Sequence, residues 1–107
     1  MVVKRFEVYY TNLEPTVGSE MKKVRPCVII SSDVLNKKFR TVLIAPLTST
    51  FKLYPTRVQT HFQDKDGYIA LDQIRSIDKS RLKKKIGVIN AATQLQVLLT
   101  LQEMFEV

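Results

Sequence analysis

The fold is predicted from residues 18–31, which have the sequence GSEMKKVRPCVIIS. This segment begins as a polar loop with Gly18 and ends in Val28-Ile29-Ile30, an apolar run typical of a strand buried on both faces. Pro26 suits the first residue of a strand, because proline has no N–H to donate to a ladder. The loop therefore delivers one guanidinium, that of Arg25, to the point where the chain enters the core, where it could hold an anion.

A second strand is predicted for residues 41–47 (TVLIAPL), followed by three hydroxyl residues at 48–50. Only residues 32–40 separate the two strands, and a parallel crossover needs a dozen residues or more. The strands are therefore expected to be antiparallel neighbours, which brings Arg25 opposite Thr48. A guanidinium and a group of hydroxyls would then meet at one rim of the sheet, and this is the site that the local sequence predicts.

The length of 107 residues predicts a single domain spanning residues 1–107. The longest apolar run, Val42–Leu47, is far too short to span a membrane, and the N-terminus shows no signal peptide. A cytoplasmic protein without membrane association is the expectation. Cys27 is the only cysteine and His61 the only histidine, so one chain cannot build a zinc site from these residues. No nucleotide-binding glycine motif occurs, and no cofactor is expected.

The charge of the chain indicates a polyanionic partner. The net charge is +7, and the isoelectric point is near 9.7. Nucleic acid and an acidic protein segment fit this charge better than a membrane surface, because no basic amphipathic helix is apparent.

The remaining elements complete a mainly β fold with one helix. A hairpin turn with the Asp-Gly signature is expected at residues 64–67 (DKDG), and a short helical turn stopped by Gly87 is expected at residues 80–87. A helix capped by Asn90 is expected over residues 91–105. Its predicted core stripe consists of Ala91, Leu95, Leu98, Leu101 and Phe105, with flanking apolar residues available to a second subunit. The prediction is a small antiparallel sheet curled on itself, with a C-terminal helix packed against it.

Three stretches of the sequence resemble the MazF/PemK toxin family. The first comprises GSE at 18–20 and RPCVIIS at 25–31, the second is APLTS at 45–49, and the third runs from Asp66-Gly67 through LDQIRSID at 71–78. They occur in the family's order and spacing over nearly the whole chain. The resemblance implies a small SH3-like antiparallel β-barrel with a C-terminal helix and a homodimer. It also implies an endoribonuclease (mRNA interferase) that cleaves single-stranded RNA without metal at short sequences. Its partner would be a cognate antitoxin with an acidic, disordered tail.

The same resemblance assigns the site residues. Arg25 and Thr48 match the family's catalytic arginine and threonine, and a guanidinium suits the charge that develops on a phosphorane. Ser19, Ser49 and Gln73 match the RNA-binding groove.

The general base is left open between Asp72 and Glu20. Asp72 aligns with an aspartate that serves this role in PemK-like members. Ala70, however, stands where those members carry the arginine that works with it.

Two alternatives of other functional classes share the expected fold. A CcdB-type gyrase poison would lack the Arg25 and Thr48 pairing, and it relies on a C-terminal Trp-Gly-Ile that this chain does not have. A non-catalytic SH3-like RNA-binding module would stack bases on aromatic side chains without cleaving RNA.

Overall fold

A computed structural model describes residues 1–13, 24–50 and 54–107 of the chain. These described residues form seven β-strands, two α-helices and two short 3₁₀ turns. The strands are β1 (Glu7–Asn12), β2 (Val24–Ile29), β3 (Thr41–Thr48), β4 (Arg57–Phe62), β5 (Lys65–Ala70), β6 (Arg75–Asp78) and β7 (Leu82–Val88). The helices are α1 (Asp33–Lys38) and α2 (Ala91–Met104), and the 3₁₀ turns are Leu71–Gln73 and Lys79–Arg81.

The strands form one curled antiparallel sheet in the order β4-β5-β3-β2-β1-β7. Strand β3 is central because it pairs with β2 on one side and with both β6 and β5 on the other. Its first half pairs with β6, and its last two residues, Leu47 and Thr48, pair with β5. The predicted class, a curled antiparallel sheet with a C-terminal helix, is confirmed.

The pairing of β2 with β3 is antiparallel, as the short connection predicted. Cys27 lies opposite Pro46, Val28 opposite Ala45, and Ile29 opposite Ile44. Continuing this register by two residues places Arg25 opposite Thr48. Arg25 and Thr48, which the sequence predicted to lie opposite each other, are therefore found at the same end of two adjacent strands.

A buried polar network holds the connection between these two strands. Ser32 caps α1, and Asn36 of α1 is buried against Ser31. The Ser31 hydroxyl donates to Asn36 Oδ1 at 2.5 Å and accepts from the Leu43 N–H at 3.0 Å, while Asn36 Nδ2 donates to the Ser31 carbonyl at 2.9 Å. Because Ser31 follows β2 and Leu43 belongs to β3, this network ties the two strands in one register.

Successive side chains of the central strands point to opposite faces of the sheet, and a hydrophobic core forms on each face. The larger core lies between the sheet and α2 and includes Val8, Val28, Ala45, Ile69 and Val97. The smaller core lies on the opposite face and includes Tyr9, Cys27, Ile29, Ile44 and Ile77. Both faces of β2 are thus covered, as its unbroken apolar run predicted.

The predicted core stripe of α2 is wrong in part. Leu95 is 59% exposed and Phe105 74% exposed, and Ala91 is also exposed. The buried positions are Thr93, Val97 and Thr100, whereas the predicted Leu98 and Leu101 pack against the larger core while only partly buried. Two of the three buried residues of α2 are threonines. A prediction from the periodicity of apolar residues alone therefore does not identify the buried face of this helix.

The β4–β5 turn differs in part from its prediction, because Asp64 lies in the turn while residues 65–67 belong to β5. Gln63 and Asp64 occupy the turn, both with positive φ (52° and 61°), which is the geometry of a two-residue hairpin. Asp66 and Gly67 lie inside β5 instead, opposite His61 and Thr60. Gly67 is not a turn residue but allows the backbones of β5 and β3 to lie close together. A Cβ atom at this position would lie 3.1 Å from the Thr48 carbonyl oxygen.

Residues 80–87 do not form the predicted helical turn stopped by glycine. After the 3₁₀ turn at Lys79–Arg81 the chain becomes β7, which pairs with β1 at one edge of the sheet. The exposed lysines at 83–85 lie on this edge strand. Charged side chains on an edge strand prevent it from pairing with strands of other molecules. This function explains why a strand as polar as β7 is found at the edge of the sheet.

Asn36→Ala should lower the free energy of unfolding by about 2 kcal/mol, because it leaves buried groups of Ser31 without partners. Urea denaturation at a fixed protein concentration measures this difference. Lys37→Ala, at an exposed position of the same helix, is the control and should change the value by less than about 0.5 kcal/mol. Equal effects of the two substitutions would contradict the role given to the network.

Candidate active site

A cleft of about 430 Å³ opens where the larger core reaches the end of β3. Its apolar lining includes Tyr10, Pro26, Leu47, Phe62 and Ile86. One wall therefore comes from β1, β2 and β7, and the other from the β4–β5 hairpin. The Gln63 amide donates to the Ile86 carbonyl at 3.3 Å and joins the two walls at this end.

Arg25 lies at the lip of the cleft and is only half-buried. Its Nη2 donates to the backbone carbonyl of Leu47 at 3.3 Å, which holds the guanidinium beside the end of β3. Arginine has five N–H donors, and within the described residues no carboxylate pairs with Arg25. The remaining donors can therefore bind an anion.

Thr48 and Ser49 line the same cleft beside Arg25. The Thr48 hydroxyl accepts a hydrogen bond from the Thr50 N–H at 3.1 Å, as in a local turn. Because this bond occupies the oxygen as an acceptor, the O–H remains available to donate. The structure thus brings together three of the predicted site residues, Arg25, Thr48 and Ser49. The Thr48 hydroxyl can donate a hydrogen bond on the same side of the cleft as the Arg25 guanidinium.

Cys27 is excluded as a nucleophile although it lies two residues from Arg25. It is fully buried in the smaller core, as predicted for a small hydrophobic residue. Burial raises the pKa of its thiol to about 11. A thiol that stays protonated at neutral pH is not reactive.

Asp72 lies in the 3₁₀ turn after β5 and is not among the residues that line the cleft. Arg57 donates to it through Nε at 2.8 Å and Nη2 at 3.3 Å, and the Thr56 hydroxyl donates at 3.1 Å. The hydrogen bonds from Arg57 are the main cause of a lowered pKa for this carboxyl group. A carboxylate with a lowered pKa is a weak base at neutral pH.

The arginine beside Asp72 comes from a different strand than the resemblance suggested. Arg57 of β4 lies directly opposite Ala70 of β5. Arg57 therefore pairs with Asp72 from β4, whereas the resemblance placed the partner arginine at position 70. Its side chain is largely buried, with the ring of Tyr54 5.4 Å from the guanidinium carbon.

The other predicted site residues are not brought to the cleft by the described structure. Gln73 is exposed in the 3₁₀ turn and does not line the cleft. Ser19 and Glu20 lie outside the described residues. The roles of all the predicted site residues stay predictions, including those of Arg25, Thr48 and Ser49, which line one cleft.

Several residues of the cleft were not singled out from the sequence. Tyr10, Thr60 and Phe62 were treated as ordinary strand residues, although all three line the cleft. The sequence pattern around Thr60 could have identified it, because Thr60 occupies an inward position of β4 between the apolar residues Val58 and Phe62. A polar residue at an apolar position of an alternating strand is informative.

Comparison with known proteins identifies the family. A model of the PemK-like, MazF-like toxins of type II toxin-antitoxin systems matches residues 4–105. The chain belongs to this toxin family. An endoribonuclease MazF of Staphylococcus epidermidis is 36% identical over 104 residues, which cover 90% of this toxin and 85% of that protein.

Solved structures agree with this assignment. An endoribonuclease from mycobacterial species superimposes with a TM-score of 0.80 at 25% identity, covering 96% of this toxin and 90% of that chain. A MazE-MazF structure from Deinococcus radiodurans gives a TM-score of 0.82 at 24% identity and covers 97% and 96% of the two chains. The latter likeness shows the fold alone.

Two further features of the toxin concern metals and membranes. In residues 1–13, 24–50 and 54–107, no three side chains of His, Cys, Asp or Glu are grouped so that they could hold a metal ion. Neither helix in these segments is long and apolar enough to cross a membrane.

The Arg57–Asp72 pair predicts a pH-dependent contribution to stability. The pKa of Asp72 is lower in the folded toxin than in the unfolded chain. The pair therefore stabilises the fold above the ordinary carboxyl pKa of about 3.9 and loses this effect as pH falls through the lowered pKa. Asp72→Asn should reduce the free energy of unfolding by up to about 1 kcal/mol at pH 7, and this difference should shrink below about pH 4.

Urea denaturation between pH 3 and pH 7 measures that difference. Asp64→Asn is the control, since Asp64 is exposed in the β4–β5 turn and forms no ion pair among the described residues. A constant effect of Asp72→Asn over the whole pH range would show that the ion pair is not its source.

Proposed function

We propose that this toxin is a metal-independent endoribonuclease that cleaves single-stranded RNA, including mRNA, at short selected sequences. The observation that carries the proposal is the Arg25 guanidinium at the lip of the cleft, free of carboxylates in the described structure and adjacent to the Thr48 hydroxyl. Membership in the toxin family and 36% identity to an endoribonuclease support it.

The proposed reaction is an intramolecular transfer within the RNA. The 2′-oxygen attacks the adjacent phosphorus, the O2′–P bond forms, and the P–O5′ bond breaks. A base takes the 2′-hydroxyl proton, and the leaving 5′-oxygen takes up a proton. The products are a 2′,3′-cyclic phosphate and a 5′-hydroxyl end, and no redox step or cofactor is needed.

Arg25 and Thr48 have distinct roles in this reaction. Negative charge grows on the phosphoryl oxygens in the transition state, and a fixed guanidinium can donate two parallel hydrogen bonds to them. Thr48 donates its O–H to the phosphate and orients it. Glu20 and Asp72 remain the predicted candidates for the base, and the ion pair of Asp72 with Arg57 favours a structural role for that carboxylate.

The proposed partner is an antitoxin with an acidic segment. A mycobacterial endoribonuclease with 25% identity to this toxin has been solved in complex with its cognate antitoxin. The net charge of +7 suits both RNA and an acidic peptide. We also propose that the toxin acts in the cytoplasm, where it would meet mRNA, as a single domain without a cofactor.

The proposed assembly is a homodimer that uses the outer face of α2. Leu95, Leu99 and Phe105 are exposed on this helix, although they are large and apolar. Exposed apolar residues grouped on one helix mark an interaction surface. Residues that were predicted to lie in the core are thus available to a second subunit.

Arg25→Ala should reduce cleavage of a long single-stranded RNA by about 10³-fold or more in excess EDTA, because the transition-state charge loses its fixed donor. Arg25→Lys should also lose most activity, since an ammonium cannot form the paired hydrogen bonds. Both variants should keep the circular dichroism spectrum of the parent. Mapping of fragment ends should reveal 5′-hydroxyl groups at discrete sites.

Arg40→Ala is the matched control, because Arg40 is exposed and lies at the opposite end of β3. It should retain nearly full activity. Cleavage by Arg25→Ala at the rate of the parent would remove the proposed site. Intact RNA from the folded parent toxin, free of antitoxin, would instead favour an RNA-binding module or a gyrase poison.

The double substitution Leu95→Glu/Leu99→Glu should convert the dimer to a monomer, because it places two charges in the proposed apolar interface. Light scattering after size exclusion measures the molar mass. Val34→Glu replaces an equally exposed apolar residue on α1 and should leave the mass unchanged. A dimer that persists in the double variant would place the interface elsewhere.

A further inference from the structure

The Thr60 hydroxyl is the most unusual polar group near the cleft. Thr60 is only 5% exposed, lines the cleft and lies on β4 opposite Gly67. Among the described residues, its Oγ1 is the one buried side-chain oxygen or nitrogen without a hydrogen-bond partner. A buried hydroxyl without a partner destabilises a fold by about 1–3 kcal/mol, so a valine at this position would suit the empty protein better.

The surroundings of Thr60 fit a flat, partly apolar ligand. Tyr10 and Phe62 contribute aromatic rings to the cleft, and Leu47 and Ile86 contribute aliphatic surface. The volume of about 430 Å³ is within the range of about 300–1,000 Å³ typical of small-molecule pockets. Proteins that recognise single-stranded RNA hold unstacked bases against aromatic side chains and hydrogen-bond to the edges of those bases.

The position of Thr60 relates the pocket to the proposed chemistry. Gly67, its cross-strand neighbour, has no side chain to fill the cleft and packs against the Thr48 carbonyl. Thr48 and Arg25 line the same cleft. A nucleotide whose phosphate contacts Arg25 and Thr48 would therefore have this pocket beside it for its base.

We propose that one base next to the scissile phosphate inserts into this cleft and that the Thr60 hydroxyl recognises its edge through a hydrogen bond. The inference rests on the proposed cleavage of RNA and adds a residue that determines its sequence selectivity. Rotation about χ1 moves the threonine hydroxyl to another of its three staggered positions, so the hydroxyl can turn toward a base that enters. The Thr60 hydroxyl, which has no hydrogen-bond partner among the described residues, would then be hydrogen-bonded to the base in the complex.

Thr60→Val tests this role because it removes the hydroxyl and keeps the shape. Affinity is measured with RNA oligonucleotides that carry the mapped cleavage sequence and a 2′-deoxyribose at the cleaved position, which prevents reaction. The variant should bind the preferred sequence about 3–10-fold more weakly, as expected for one hydrogen bond. Its discrimination between bases at one position should decrease, and its fragment-end profile should broaden at that position.

Three controls separate this role from packing. Thr60→Ser keeps the hydroxyl and should retain discrimination. Thr41→Val makes the same chemical change at an exposed residue at the far end of β3 and should change nothing. Thr60→Val should also be at least as stable as the parent, since it removes a group without a partner.

Three results would overturn the inference. They are an unchanged affinity and cleavage profile for Thr60→Val, an equal loss for Thr60→Val and Thr60→Ser, or a clear loss of stability for Thr60→Val. Each would leave the proposed endoribonuclease activity intact, because that activity is tested by the parent toxin and by Arg25→Ala. Failure of the parent to cleave RNA would instead reject the proposed function, and the inference with it.

Discussion

The antiparallel pairing of β2 with β3 is the constraint on which the rest of the structure depends. It buries Val28 in one core and Cys27 and Ile29 in the other, so a slip of one residue would exchange the two faces. The hydrogen bonds among Ser31, Asn36 and Leu43 oppose such a slip. The same register sets Arg25 and Thr48 at one edge, so stability of the fold and geometry of the site have a common origin.

The cleft arises where this core ends. Along β1, β2 and β3, side chains on the face of the larger core continue as Tyr10, Pro26 and Leu47, which line the cleft. The β4–β5 hairpin forms the facing wall and contributes Thr60 and Phe62. An apolar cavity beside a guanidinium suits a nucleotide, which has an apolar base next to an anionic phosphate.

One feature of the cleft reduces stability, as expected where a fold must also form a binding site. Thr60 holds a buried hydroxyl without a partner in the described structure. Outside the cleft, Arg57 of β4 lies directly opposite Ala70 and forms an ion pair with Asp72.

Sequence by itself determined the class of fold, the β2–β3 neighbours, the Asn90 cap of α2 and the meeting of Arg25 with Thr48. Each of these follows from local rules, namely unbroken apolar runs, a connection too short for a crossover and capping chemistry. Only the tertiary structure decided which face of α2 is buried, where the β4–β5 turn lies and which side chains line the cleft. Thr93 and Thr100 are buried by the packing of the whole helix, and Gly67 is required by a distant carbonyl. Such contacts join residues far apart in the chain, and local periodicity contains no information about them.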